Sequence, residues 1–167
     1  MLKKNISIHL YEVEGLEQLS PVERKLVETS REMTAKAYAP YSEFFVGAAV
    51  LLENGELIKG SNQENGAYPS GLCAERVAVF AASAMFPGVP MQMIAISAKS
   101  PRLSVDAPVS PCGACRQVML EYETLQGKPI KLLLSKENGK ILIIEKVEDL
   151  LPLSFTGSNL KKVRPGL

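Results

Sequence analysis

The chain of 167 residues has no tryptophan, one histidine, three cysteines and almost no net charge, with 19 Lys and Arg against 18 Asp and Glu. With a formal charge of +1, no global field draws it to DNA, RNA or an anionic membrane. Its one basic cluster, Lys161-Lys162-Val163-Arg164, reads as a solvated terminus. No apolar run approaches the roughly 18 to 20 residues that cross a bilayer, and Met1-Leu2-Lys3-Lys4-Asn5-Ile6 has no sustained signal-peptide core. A cytoplasmic protein is therefore expected, and an odd number of thiols suits a reducing compartment. Internal repeats and low-complexity tracts are also missing, and the length favours one domain that needs no disulfide staples.

Alternating helix and strand signals fill the chain. Ser20, Pro21 and Glu23 form a cap and first turn, and Val22, Leu26, Val27, Met33 and Ala37 predict a helix ending before Pro40. Residues 44–52 read as a buried strand, Asn54-Gly55 as a tight turn and residues 56–60 as the returning strand. A polar loop over 61–71 leads into a helix opened by Cys73 and Glu75, on which Val77, Phe80, Ala81 and Ala84 are expected to pack in the core. Residues 91–98 predict a third strand, 99–110 a long loop and 113–125 a helix introduced by Pro111. Segments 130–135 and 141–145 predict a strand pair turned at Asn138-Gly139. This order predicts an α/β fold, a mixed sheet of about five strands covered by helices on its faces in three αβα layers. Both cysteine motifs fall at strand-to-helix junctions, which can gather at one edge of such a sheet.

All three cysteines lie in two short motifs, Cys73-Ala74-Glu75 and Pro111-Cys112-Gly113-Ala114-Cys115. Alone, the second also fits, as the lesser reading, a thioredoxin-like redox pair, and Cys73 a buried apolar thiol. Together they have the ligand count of a catalytic zinc, because three protein ligands leave the fourth tetrahedral position open for water. A structural zinc needs a fourth protein ligand, and His9 has no ligand-like spacing. Helix N-termini aimed at the metal favour thiolates. Three thiolates around Zn²⁺ leave a net charge of −1, which Arg76 is placed to draw off by donating to the sulfurs. Glu75, two residues after Cys73, is suited to take a proton from the water and pass it to a substrate.

The motifs Cys73-Ala74-Glu75-Arg76 and Pro111-Cys112-Gly113-Ala114-Cys115-Arg116-Gln117 resemble those of the small, three-cysteine, homotetrameric cytidine deaminases. The resemblance extends to Tyr41-Ser42-Glu43-Phe44-Phe45-Val46-Gly47-Ala48-Ala49, Gly60-Ser61-Asn62-Gln63-Glu64-Asn65 and Leu150-Leu151-Pro152-Leu153-Ser154-Phe155, covering residues 21–155. It departs from the usual family pattern at Ser61, Gly66 and Phe45. The resemblance implies one Zn²⁺ on Cys73, Cys112 and Cys115, with Glu75 as the catalytic acid–base. It implies that Phe44 lies against the pyrimidine, that Asn62 and Glu64 hold the ribose, and that Ala74 and the main-chain carbonyl near Ser110 contact the substrate. Tyr68 and Phe155 become candidates to reach a neighbouring subunit's site. The implied domain plan is an N-terminal arm over 1–20, a catalytic domain over 21–155 and a tail over 156–167.

The implied reaction is hydrolysis of cytidine and 2′-deoxycytidine to the uridines and ammonia, by a homotetramer acting on small nucleosides in pyrimidine salvage. A blasticidin-type aminonucleoside deaminase shares the zinc motifs, but the Asn62-x-Glu64 pair suits an unmodified ribose. A nucleic-acid-editing deaminase would need a basic surface. A non-enzymatic zinc-stabilised interaction module would need a closed coordination shell.

Overall fold

The structure, a computed structural model, describes residues 1–102 and 105–157; the basic cluster at 161–164 and most of the expected tail lie outside the described residues. Tyr11–Val13 forms β1. Ser20 then caps α1, Pro21–Met33, with a full capping box: Glu23 N–H donates to Ser20 Oγ and Ser20 N–H donates to Glu23 Oε2 at 3.1 Å. The helix expected to reach residue 37 stops earlier. Thr34–Lys36 tightens into a 3-10 turn where Thr34 Oγ1 donates back to Arg31 O at 2.7 Å. β2, Phe45–Leu52, and β3, Leu57–Ser61, make the expected hairpin, with Gly55 at φ +87° in its turn. The remaining elements are α2, Ala74–Met85; β4, Met91–Lys99; α3, Gly113–Gln126; β5, Lys131–Lys136; and β6, Ile141–Ile144.

The sheet has six strands, not about five, in the order β1-β6-β5-β4-β2-β3. The added strand comes from the segment expected to be an arm: Tyr11, Glu12 and Val13 pair with Ile143, Leu142 and Ile141. Three residues are too few to show a period-two pattern, so only the pairing reveals them. β4 and β5 are parallel, joined through α3, and the other neighbours are antiparallel.

Alternation along the strands makes two cores. Ala48, Val50, Leu52, Ile94, Ile96, Leu132 and Leu134 face α2 and α3, whereas Ala49, Ala95 and Leu133 face Leu26 and Val27 of α1. Two glycines allow the helices to come close. A Cβ on Gly47 would lie 2.1 Å from Ser30 O of α1, and one on Gly60 would lie 2.5 Å from Ala74 O at the start of α2. Gly60 thus lets the first turn of α2, which carries Glu75, rest directly on β3.

One expected core stripe is corrected. Phe80 and Ala84 are exposed and Val77 and Ala81 half-buried, whereas Ala74, Ala78, Val79 and Ala82 are the residues of α2 that meet the sheet. Backbone close approach favours the small-residue face, so the larger apolar side chains turn outward. No helix among the described residues is long and apolar enough to cross a membrane.

Candidate active site

Cys73 is the N-cap of α2 and Cys112 the N-cap of α3, each in extended backbone and without a side-chain capping bond. Cys115 sits in the first turn of α3 and has no exposure. The three Sγ atoms lie within 4.8 Å of one another. Cys73 and Cys112 are 3.9 Å apart, and Cys112 and Cys115 are 3.5 Å apart. A tetrahedral site with metal–sulfur bonds of about 2.3 Å has edges of about 3.8 Å, so the donor set and its spacing fit one zinc ion per chain. His9 lies in the exposed segment before β1 and is not in this cluster.

One of the three sulfurs, that of Cys73, already favours the ionised form a metal requires. The Cys73 thiol is pulled down to about 5, first by a hydrogen bond from Cys115 and then by Arg76 and Cys112. Cys115 moves upward, because it donates to Cys73 and is buried. Arg76 NH2 donates to Cys73 Sγ at 3.7 Å, and the guanidinium is raised in turn by that sulfur. Its Nε is buried without a partner. Glu75 is 4 % exposed. Burial, reinforced by the charge on Cys73, pushes its carboxyl above the ordinary carboxylate range. A carboxyl that holds a proton readily, beside a three-sulfur cluster, is equipped for proton transfer.

A cavity of about 690 Å³ opens from this cluster. Phe44, Val46 and Ile96 give it apolar walls, and Cys73, Glu75, Arg76, Cys112 and Ser110 line its metal side. Asn62, Glu64 and Tyr68 line it further out. Ala74, fully buried in the first turn of α2, does not line it with its side chain.

The expected sugar contacts prove to be committed within the chain. Asn62 Nδ2 donates to Phe44 O at 2.9 Å and Asn62 Oδ1 accepts from Val46 N at 2.7 Å, so the amide clamps the backbone on both sides of Phe45. Glu64 accepts from Tyr41 N at 2.9 Å, from Ser42 N at 3.3 Å and from the Ser42 hydroxyl. The Ser42 bond is the main reason its carboxyl lies below the ordinary range. Tyr68 is exposed, with its ring edge-on to Tyr41 at 6.0 Å. Phe155 is 62 % exposed and lies outside the cavity; its main-chain carbonyl accepts from Gln117 Nε2 at 3.0 Å.

Several residues with positioning roles carried no such role in the sequence. Arg116 Nε donates to Pro111 O at 2.8 Å and its NH1 to Leu150 O at 2.9 Å, tying the cysteine loop to the C-terminal segment. Buried Glu123 accepts from the main-chain N–H groups of Ile130, Val147 and Glu148 at 2.7 to 2.8 Å, pinning α3 to the entry of β5 and to the turn that precedes Leu151. The one available signal was the place of Arg116 directly after Cys115, since a residue there lies on the first turn of the same helix.

Comparison with known proteins agrees with this geometry. Residues 21–126 match the family model described as cytidine and deoxycytidylate deaminase zinc-binding region. A cytidine deaminase of Halalkalibacterium halodurans is 40% identical over 135 residues, which make up 81% of this chain and 95% of that protein. The crystal structure of a cytidine deaminase from Burkholderia pseudomallei superposes with a TM-score of 0.69 at 38% identity, covering 78% of this chain and 97% of the other. A blasticidin-S deaminase of Bacillus cereus is 30% identical over 142 residues, 83% of this chain and 95% of its own. The chain is a member of the cytidine and deoxycytidylate deaminase zinc-binding family.

Proposed function

We propose that this protein hydrolyses cytidine and 2′-deoxycytidine to the corresponding uridines, releasing ammonia, in pyrimidine salvage. The observation that carries the reading is the convergence, in one cavity, of three clustered sulfurs, a buried Glu75 and an apolar wall at Phe44. Zinc, when bound, supplies a Lewis acid that makes water nucleophilic near neutral pH. Glu75 takes one proton of the attacking water and delivers it to the ring nitrogen as the C4–O bond forms, then passes the proton of the new C4 hydroxyl to the amine, which leaves as ammonia as the C4–N bond breaks and the C4 carbonyl forms. Arg76 offsets the negative charge of the sulfurs. Phe44 stacks on the pyrimidine, the main chain at Ala74 and Ser110 contacts the base, and Asn62 and Glu64 face the ribose. The main-chain carbonyl near Ser110, on the cavity wall, accepts from the substrate's amino group and discriminates against uracil.

The catalytic unit in this reading spans 21–155, between an N-terminal segment over 1–20 and a tail over 156–167, and works in the cytoplasm. The assembly is a homotetramer: Phe80, Met85, Tyr68 and Phe155 are large apolar side chains left in solvent by the single chain, and Tyr68 and Phe155 reach a neighbour's site. Light scattering that found an active monomer would refute this arrangement.

The direct experiment incubates purified protein with cytidine, deoxycytidine, CMP and blasticidin S, following absorbance and counting zinc per chain. Turnover of both nucleosides with one zinc is expected. Turnover of CMP alone, or of the antibiotic alone, would overturn the substrate assignment.

A further inference from the structure

Ser42 lines the cavity, and its hydroxyl makes two bonds that fix its direction. Oγ accepts from Phe44 N–H at 3.0 Å. A serine hydroxyl carries one proton, and here that proton goes to Glu64 Oε1. Glu64 Oε2 meanwhile takes the N–H groups of Tyr41 and Ser42. A glutamate on a loop, only half-buried, ordinarily samples several rotamers and loses that freedom when donors hold it. Three donors from one short turn hold Glu64 in a single orientation, and an ionised carboxylate accepts only, so the ligand it faces must present a donor. On the sugar of a nucleoside, that donor is a ring hydroxyl.

We propose that Ser42 is a positioning residue that sets substrate specificity: its hydroxyl locks Glu64 as the acceptor for a sugar hydroxyl and so favours nucleosides that carry one. This rests on the deaminase reading of the cavity. The turn itself fits the role. Glu43, between Ser42 and Phe44, adopts φ +52°, and Arg102 pairs with its carboxylate at 2.5 Å, so the bend that turns the Ser42 hydroxyl toward Glu64 is held from outside the cavity as well.

The test compares kcat and KM of wild type, Ser42→Ala, Ser42→Thr, Glu64→Gln and the Ser42→Ala/Glu64→Gln double variant on cytidine and on 2′,3′-dideoxycytidine, which lacks both ring hydroxyls. Ser42→Ala is expected to lose about tenfold in kcat/KM on cytidine, through KM, and less than about threefold on the dideoxy compound. Ser42→Thr restores the cytidine value, and adding Ser42→Ala to Glu64→Gln costs less than about threefold more. Equal losses on both substrates, or additive losses in the double variant, would overturn the proposal. A wild-type protein inactive on both nucleosides would count against the deaminase reading instead. The Ser42–Glu64 link is then decided by carboxyl NMR titration of Glu64, which must move upward in Ser42→Ala and would contradict the proposal by staying in place.

Discussion

On the metal side of the cavity the reactive groups ride on the N-caps and first turns of two helices, with Cys115 fully enclosed, Glu75 4 % exposed, Cys73 half-buried and Cys112 open to the cavity. On the side proposed to hold the sugar, exposed Ser42 and half-buried Glu64 stand on loops and are tied together by hydrogen bonds from the turn at 41–42. The two sides therefore differ in what a substitution breaks. A change on the metal side removes a ligand or a buried acid whose position the helix and sheet enforce, and the chemical step is lost. A change on the sugar side loosens a solvated contact, and binding suffers while chemistry survives.

The sharpest break is Cys115→Ala, which takes one sulfur from the cluster. The variant is expected to retain no stoichiometric zinc and to show no turnover, as read by metal analysis and assay. Next comes Glu75→Gln. It should keep its zinc and fold while kcat falls by roughly a hundred- to ten-thousandfold; loss of zinc in this variant would place Glu75 among the ligands instead.

Asn62→Ala and Glu64→Gln separate two roles within the sugar side. Asn62→Ala strands Phe44 C=O and Val46 N–H, so it should lower stability by about 1–3 kcal/mol and raise KM, which thermal melting and kinetics read together. Glu64→Gln should raise KM for cytidine about tenfold with little change in melting temperature.

The smallest effect is a difference in pH dependence. Burial, with the Cys73 charge in support, raises Glu75, so the carboxylate needed to receive a proton is lost as pH falls through a value above 4.5. Glu64 is lowered, so its role as acceptor is fully present above 4.5 and lost only as pH falls through its lower folded value. The acid limb of kcat/KM should accordingly sit above pH 4.5 and stay in place in Glu64→Gln. A limb that moved with Glu64→Gln would assign it to the sugar side.

The metal side was the more legible of the two in the sequence, because its groups are local. Cys73 and Glu75 lie two residues apart, Cys112 and Cys115 three, and each pair opens a helix whose start is marked by composition or by Pro111. The three helices and five of the strands were legible for the same reason, each being long enough to show its own period. β1 was not, since three residues gain their identity only by pairing with β6. The outward turn of Phe80 was hidden too: an apolar stripe does not say which face meets the sheet, and the close approach at Gly60 selects the alanines. The resemblance implied Asn62 and Glu64 as ribose contacts, but their bonds to Phe44, Val46, Tyr41 and Ser42 depend on loop geometry that no spacing encodes. The Arg116 and Glu123 contacts likewise end on main-chain atoms of distant segments.

The central claim is that Cys73, Cys112 and Cys115 hold a zinc with one position left for chemistry. Zinc K-edge absorption on the purified protein tests it most directly. The expected result is one zinc per chain with three sulfurs at about 2.3 Å and a single lighter, non-protein ligand at about 2.0 Å. Four protein ligands around the metal, or a folded protein that binds no zinc, would contradict it.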